Sequence, residues 1–167
     1  MSQLVVGSAN YERPTTNDQP PTTNYLTTTV LTLDEYRIIV EQAPVMIWRA
    51  DAQARCDYFN QRWLSFTGRT LQEEVGDGWA KGVHADDLDR CLRIYRDAFG
   101  RREAFEMEYR LRRYDGEYRW VLDTGAPIYD GDGRFRGFAG SCVDVTDRVE
   151  ARAALARATL RDLGLST

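Results

Sequence analysis

The chain is poor in the residues that build most catalytic and metal centres. Its 167 residues include one histidine, His84, and three cysteines, Cys56, Cys91 and Cys142. One imidazole leaves a histidine-dependent catalytic or metal constellation without partners, and no organised nucleophile stands in its place. The odd, widely spaced cysteines exclude a dense disulfide framework and a CxxC metal or redox pair. They suit a reducing, cytoplasmic setting. No run approaches the ~18 consecutive apolar residues of a membrane span. The start, MSQLVVGSAN, lacks the basic region and apolar length of a signal peptide. Excess positive charge is missing too. The net charge is −4, and arginines are interleaved with carboxylates, so nucleic acid is not an expected partner. GxSxG, HExxH and a Gly-rich phosphate loop are all absent. Asp130-Gly131-Asp132-Gly133 opens like a calcium loop, but Arg134, Phe135 and Ser141 occupy positions that need oxygen ligands or glycine. It reads as a turn. No catalytic residue and no metal are expected.

What is present is a series of short, well-punctuated segments. Residues 1–32 are rich in Thr, Asn and Pro and almost uncharged, which describes a disordered leader. Order is expected to begin at Thr32, which has capping-box spacing to Glu35; the helix should stop ahead of Pro44. Residues 45–51 and 54–60 read as two short strands about a turn at Ala52-Gln53. Residues 61–68 read as a short helix closed by Gly68. Thr70 and Glu73 repeat the capping-box pattern. Across 85–99, Leu88, Cys91, Leu92, Tyr95, Ala98 and Phe99 share one helical face, and Gly100 is expected to end that helix.

Residues 104–147 are the most informative stretch. Phe105, Met107, Tyr109 and Leu111 alternate with charged residues, the period of a half-buried strand. Asp115-Gly116 marks a tight turn. Tyr118, Trp120 and Leu122 then alternate with Arg119, Val121 and Asp123, and Trp120 is expected on a strand facing the interior. A second Asp-Gly turn leads to the apolar run 135–145. There Gly137 and Gly140 suggest bends or the close approach of another group. In the C-terminal helix Val149, Ala153, Ala156, Leu160 and Leu163 are spaced 4, 3, 4, 3, a heptad seam, with Gly164 as its C-cap. Two heptads are marginal alone, so the seam needs a second copy, a continuation or the domain's own sheet. The element order implies an α+β domain: one five-stranded antiparallel sheet with helices on one face and a C-terminal exit helix.

These residues resemble the PAS domain family, in its PAS fold 3 subclass, over roughly 34–150. The resemblance rests on Trp79 with Val83-His84-Ala85-Asp86-Asp87, then Glu108-Tyr109-Arg110-Leu111, then Asp115-Gly116-Glu117-Tyr118-Arg119-Trp120-Val121. Gly125-Ala126-Pro127-Ile128, Gly133 to Phe138, and Asp144-Val145-Thr146-Asp147-Arg148 complete it, the last matching the family's D-[IV]-T exit motif. The family prefers Pro where this chain has Ala85. The resemblance divides the chain into a leader (1–32), a PAS domain (33–147) and a signalling helix (148–167). It implies a sensory and dimerisation module, a homodimer attached to an effector such as a histidine kinase or diguanylate cyclase. It also implies that Asp144 and Thr146 carry the signal from sheet to helix. His84 looks structural in that pattern. The axial histidine of heme-binding relatives aligns with Asp89, and the stretch 67–75, where light-oxygen-voltage flavin domains carry their cysteine, has none. Heme by that route and flavin adduct chemistry are therefore disfavoured. Phe59, Trp63, Trp79, Tyr95, Met107, Tyr109, Trp120 and Phe138 are the candidates to line a pocket for a small organic ligand, or else to pack a filled core that serves only protein–protein interaction. An enzyme acting on a small molecule is the weakest of the three readings.

Overall fold

The structure, a computed structural model, describes residues 31–163. The leader, apart from its last two residues, and Gly164 lie outside the described residues. The chain divides after Ile39 into two units. In the first, Thr32 caps helix α1 (Leu33–Glu41) as its spacing predicts: Thr32 Oγ1 accepts from the Glu35 amide, and the Glu35 carboxylate accepts from the Thr32 amide at 2.7 Å.

The second unit is built on a single sheet. Strands β1 (Met46–Ala50), β2 (Cys56–Phe59), β3 (Phe105–Arg112), β4 (Tyr118–Tyr129) and β5 (Phe135–Asp144) are all antiparallel, in the order β2-β1-β5-β4-β3. Between β2 and β3 lie α2 (Gln61–Thr67), α3 (Leu71–Glu74), a 3-10 turn (Gly78–Gly82) and α4 (Ala85–Arg101). Helix α5 (Thr146–Asp162) follows β5 directly. The α+β expectation agrees with this arrangement.

Local chemistry explains the boundaries. Asn60 caps α2 by accepting from the Trp63 amide, and Gly68 closes it at φ 68°, where a Cβ is disfavoured. His84 caps α4, its Nδ1 accepting from the Asp86 amide at 3.2 Å. Gly100 does not end α4. The helix runs one residue further and closes on Arg102, which adopts φ 55° while its amide donates to the Ala98 and Phe99 carbonyls. Those two capping bonds offset the cost of the left-handed conformation for a non-glycine residue. At the other end of the region, neither Thr146 nor Asp147 sits at the cap position of α5; Val145 does.

The sheet buries one face against α2, the 3-10 turn and α4. On that face lie Met46, Trp48, Met107, Tyr109, Leu111, Val121, Phe138 and Cys142. Cross-strand partners in antiparallel pairs point to the same side. Tyr109 faces Val121 and Met107 faces Asp123, so β4 turns Val121 and Asp123 inward. Trp120 points the other way. The sequence expectation for β4 is thus reversed by one residue.

Candidate functional site

The aromatic side of the sheet surrounds one small cavity. Trp48 of β1, Cys56 and Phe59 of β2, Trp63 of α2, Trp79, Tyr95 of α4, Met107 and Tyr109 of β3, and Asp123 of β4 line it. Its volume is about 10 Å³. That is room for about one water, far below the ~300–1,000 Å³ of a typical ligand pocket. The rings fill the rest. Phe59 and Trp63 pack at 4.8 Å, and Tyr95 meets Trp48, Trp79 and Phe105 edge-on near 6 Å.

The structure brings six of the eight candidate lining residues together: Phe59, Trp63, Trp79, Tyr95, Met107 and Tyr109. Phe138 is buried but stands outside the lining, stacked on Phe99 at 4.9 Å. Trp120 is misplaced by the sequence reading. It lies on the opposite face of β4, half-buried, with the Arg110 guanidinium 5.3 Å from its ring. The physical reason is the hairpin register, which pairs Trp120 with Arg110 rather than with an inward residue of β3.

Two lining features were missed at the sequence level. Asp123 is buried in the core and accepts from Trp48 Nε1 at 2.8 Å and from the Tyr109 hydroxyl at 3.2 Å. Burial pushes its carboxyl up to about 6, opposed by the hydrogen bonds from Trp48, Cys142 and Tyr109. Trp63 Nε1 is buried with no hydrogen-bond partner among the described residues. Leaving such a donor unmet costs about 1–3 kcal/mol. A signal for Asp123 was available in the sequence: the Asp115-Gly116 turn carries the inward phase of β3 across to Val121 and Asp123.

Gly140, flagged for close approach, receives Trp48. A Cβ at 140 would stand 2.5 Å from the indole, and one at Gly125 would stand 3.0 Å from it. Gly137 takes φ 120° where it passes the Ala50 carbonyl. The three cysteines are buried and free. Burial raises Cys56 to about 12, Cys91 to about 11 and Cys142 well above the ordinary thiol value, so these thiols are inert at neutral pH.

The second arrangement of interest is the root of α5. The Thr146 hydroxyl accepts from the Trp120 amide at 2.9 Å and donates to Asp144 Oδ1 at 2.7 Å. Arg119 Nε donates to the other Asp144 oxygen at 3.0 Å. Burial works to raise the Asp144 carboxyl, but the Thr146 and Arg119 donors outweigh it and hold the group below its ordinary value. Glu108, on the outward side of β3, accepts from Arg148 at 2.6 Å and from Arg152 at 3.5 Å. The start of β4 and the start of α5 are therefore joined by side chains of β3, β4, β5 and the helix itself. Beyond this root the helix is bare. Val149 and Ala153 are half-buried, while Ala156, Leu160 and Leu163 are exposed. His84 keeps to its capping position, its ring edge-on to Tyr118 at 4.7 Å. Among the described residues no cluster of His, Cys, Asp or Glu is arranged to hold a metal, and no helix is long and apolar enough to cross a membrane.

Sequence comparison agrees with this geometry. The profile of the PAS fold family matches residues 57–142, from β2 to the buried Cys142 of β5. The chain belongs to the PAS fold family. This PAS domain is 42% identical over 116 residues to the uncharacterized protein y4lL of Sinorhizobium fredii, covering 70% of this chain and 14% of that protein. It is 28% identical over 123 residues to the peroxide stress-activated histidine kinase mak1 of Schizosaccharomyces pombe, covering 68% of this chain and 8% of the kinase. The chain thus spans a small part of the length of these relatives. Among solved structures, an RNA-binding light-oxygen-voltage receptor superposes with a TM-score of 0.69 at 25% identity, covering 84% of this chain and 40% of that one. The PAS domain is a sensory rather than a catalytic fold, related here to the sensor regions of histidine kinases.

Proposed function

We propose that this chain is the sensory and dimerisation module of a signal-transduction protein, in which a change at the sheet is passed through Asp144 and Thr146 to α5 and on to an effector. The observation that carries this reading is the junction itself. One threonine hydroxyl joins a β4 amide to a β5 carboxylate at the first residue of the exit helix. Moving β4 relative to β5 changes both bonds at once, and a partner or ligand biases that equilibrium by binding one arrangement more tightly. The partner we assign is a kinase-like effector, as in the histidine kinase relative. The seam of Val149, Ala153, Ala156, Leu160 and Leu163 then pairs two copies, since Leu160 and Leu163 have no cover among the described residues. Free, buried cysteines suit a cytoplasmic location.

A second reading, an interaction domain with a filled core, draws support from the cavity. A volume of about 10 Å³ has no room for heme or a flavin, and 67–75 offers no cysteine for a flavin adduct. We therefore favour a signal delivered by a partner, or by a very small molecule, over one delivered by a large cofactor.

The test joins the chain to its effector and compares it with Asp144→Ala. Altered basal output, with the stimulus response shifted, is expected; unchanged output and response would remove the junction from the mechanism. Light scattering of the chain with and without residues 148–167 tests the seam, and a dimer that survives the deletion excludes it.

A further inference from the structure

We propose that the core cavity is a binding site for one neutral hydroxylic molecule of water's size, with water as its resting occupant. The molecule accepts from Trp63 Nε1 and donates to the Asp123 carboxylate. Trp63 and Asp123 line the same cavity, and both are more than nine-tenths buried. Trp63 holds a buried N–H with no acceptor among the described residues. Indole N–H groups inside proteins usually have one. Asp123 already accepts from Trp48, Tyr109 and Cys142, but two carboxylate oxygens offer about four lone-pair sites. No Lys, Arg or His among the described residues pairs with it. One unmet donor and one under-used acceptor thus belong to residues that line a space of about 10 Å³. A buried water needs about that volume and two to four polar partners. The rings leave no room for anything larger without repacking. A second orphaned atom, Glu74 Oε2, lies outside this lining; the other oxygen of that carboxylate pairs with Arg69 Nε at 2.6 Å.

The site ties layers together. Trp63 stands on α2, while Trp48, Tyr109 and Asp123 stand on β1, β3 and β4. The bound molecule links the helical layer to three strands through polar contacts at the centre of an aromatic core. This goes beyond the proposed signalling role and does not depend on it, since its test reads occupancy and not output.

The experiment is NMR of the full chain with 15N-labelled tryptophan, joined to a crystal structure at a resolution that orders internal waters. One indole N–H resonance should show a cross-peak to water with the sign of a long-lived complex. That resonance should vanish in Trp63→Phe, and the cross-peak should disappear in Asp123→Leu. The crystal should hold one water within hydrogen-bond distance of Trp63 Nε1 and Asp123. If either variant fails to fold, the wild-type cross-peak and density still decide. A dry cavity overturns the proposal, as does a cross-peak that survives Asp123→Leu. A larger organic molecule retained in the native mass spectrum would overturn the size class.

Discussion

Helices α4 and α5 are both 17 residues long, yet they belong to different kinds of structure. Helix α4 buries Asp87, Cys91, Tyr95 and Ala98 and carries the face that its sequence spacing describes. Helix α5 buries only Thr146, its first residue. The first is part of the core. The second is held at one end by a few polar bonds and is otherwise a free rod. Equal length and equal helicity therefore say little about stability, which comes from the packed face and not from the helix alone. A domain built this way gathers its buried contacts in the core and ties its exit helix to it at one end.

The largest expected effect tests that contrast directly. Tyr95→Ala should cost about 3–5 kcal/mol in chemical denaturation, since it empties a buried aromatic site. Leu155→Ala, on the bare part of α5 and outside the heptad seam, should fall within about 0.5 kcal/mol. Equal costs would break the comparison.

The next effect follows pH. An aspartate in the unfolded chain titrates near 3.8, whereas Asp123 in the folded core titrates at about 6. Between those values the folded state binds more protons, so its stability falls as pH rises. The contribution is complete below about pH 4 and lost above about pH 6, on the order of 3 kcal/mol in total. The difference between the wild-type chain and Asp123→Asn, followed from pH 4 to 7, isolates it from carboxylates such as Asp87 and Asp144, whose lowered values act in the opposite sense. Amide exchange in α4, whose Tyr95 shares the cavity with Asp123, should follow this titration; exchange in α5 should not.

A smaller effect belongs to the root. Thr146→Val keeps the shape but leaves the Trp120 amide without its acceptor, at about 1–2 kcal/mol. Faster exchange of that amide and of α5, with α4 unchanged, is the expected pattern. Smallest is Glu108→Gln, which weakens the bonds to Arg148 and Arg152. These pairs are partly exposed, so less than about 1 kcal/mol is expected, confined to α5 and abolished by molar salt.

Much of this architecture was legible in the residues because its punctuation is local. Capping boxes at Thr32 and Thr70, the Gly68 closure and both Asp-Gly turns act within four residues, and each appears where its spacing puts it. Strand β4 was harder. Trp120 is larger and more apolar than Asp123, and judging by side chain alone turns the strand over. What sets the phase is pairing with β3, where Tyr109 and Met107 fix Val121 and Asp123 inward. The end of α4 failed for a related reason: Arg102 takes a conformation more typical of glycine, so the nearby Gly100 attracted the cap. The unmet Trp63 donor and the hydrogen-bond partners of Asp123 depend on tertiary neighbours brought together from four elements, which no spacing rule reports.

The Trp48 indole lies where side chains at Gly125 and Gly140 would stand. Those glycines face one another across β4 and β5, so the tryptophan is admitted by two absences on strands far from it in the chain. Trp48 is not the only neighbour such side chains would meet: one at 125 would also stand 2.5 Å from the Phe105 ring, and one at 140 would run into the Thr124 carbonyl, so the space that Trp48 uses to reach its 2.8 Å bond with Asp123 is closed from several sides. Changing Trp48 alone would therefore not open either glycine to a side chain, and two positions that supply nothing but space are held by the backbone of β4 and the ring of Phe105 as firmly as by the indole.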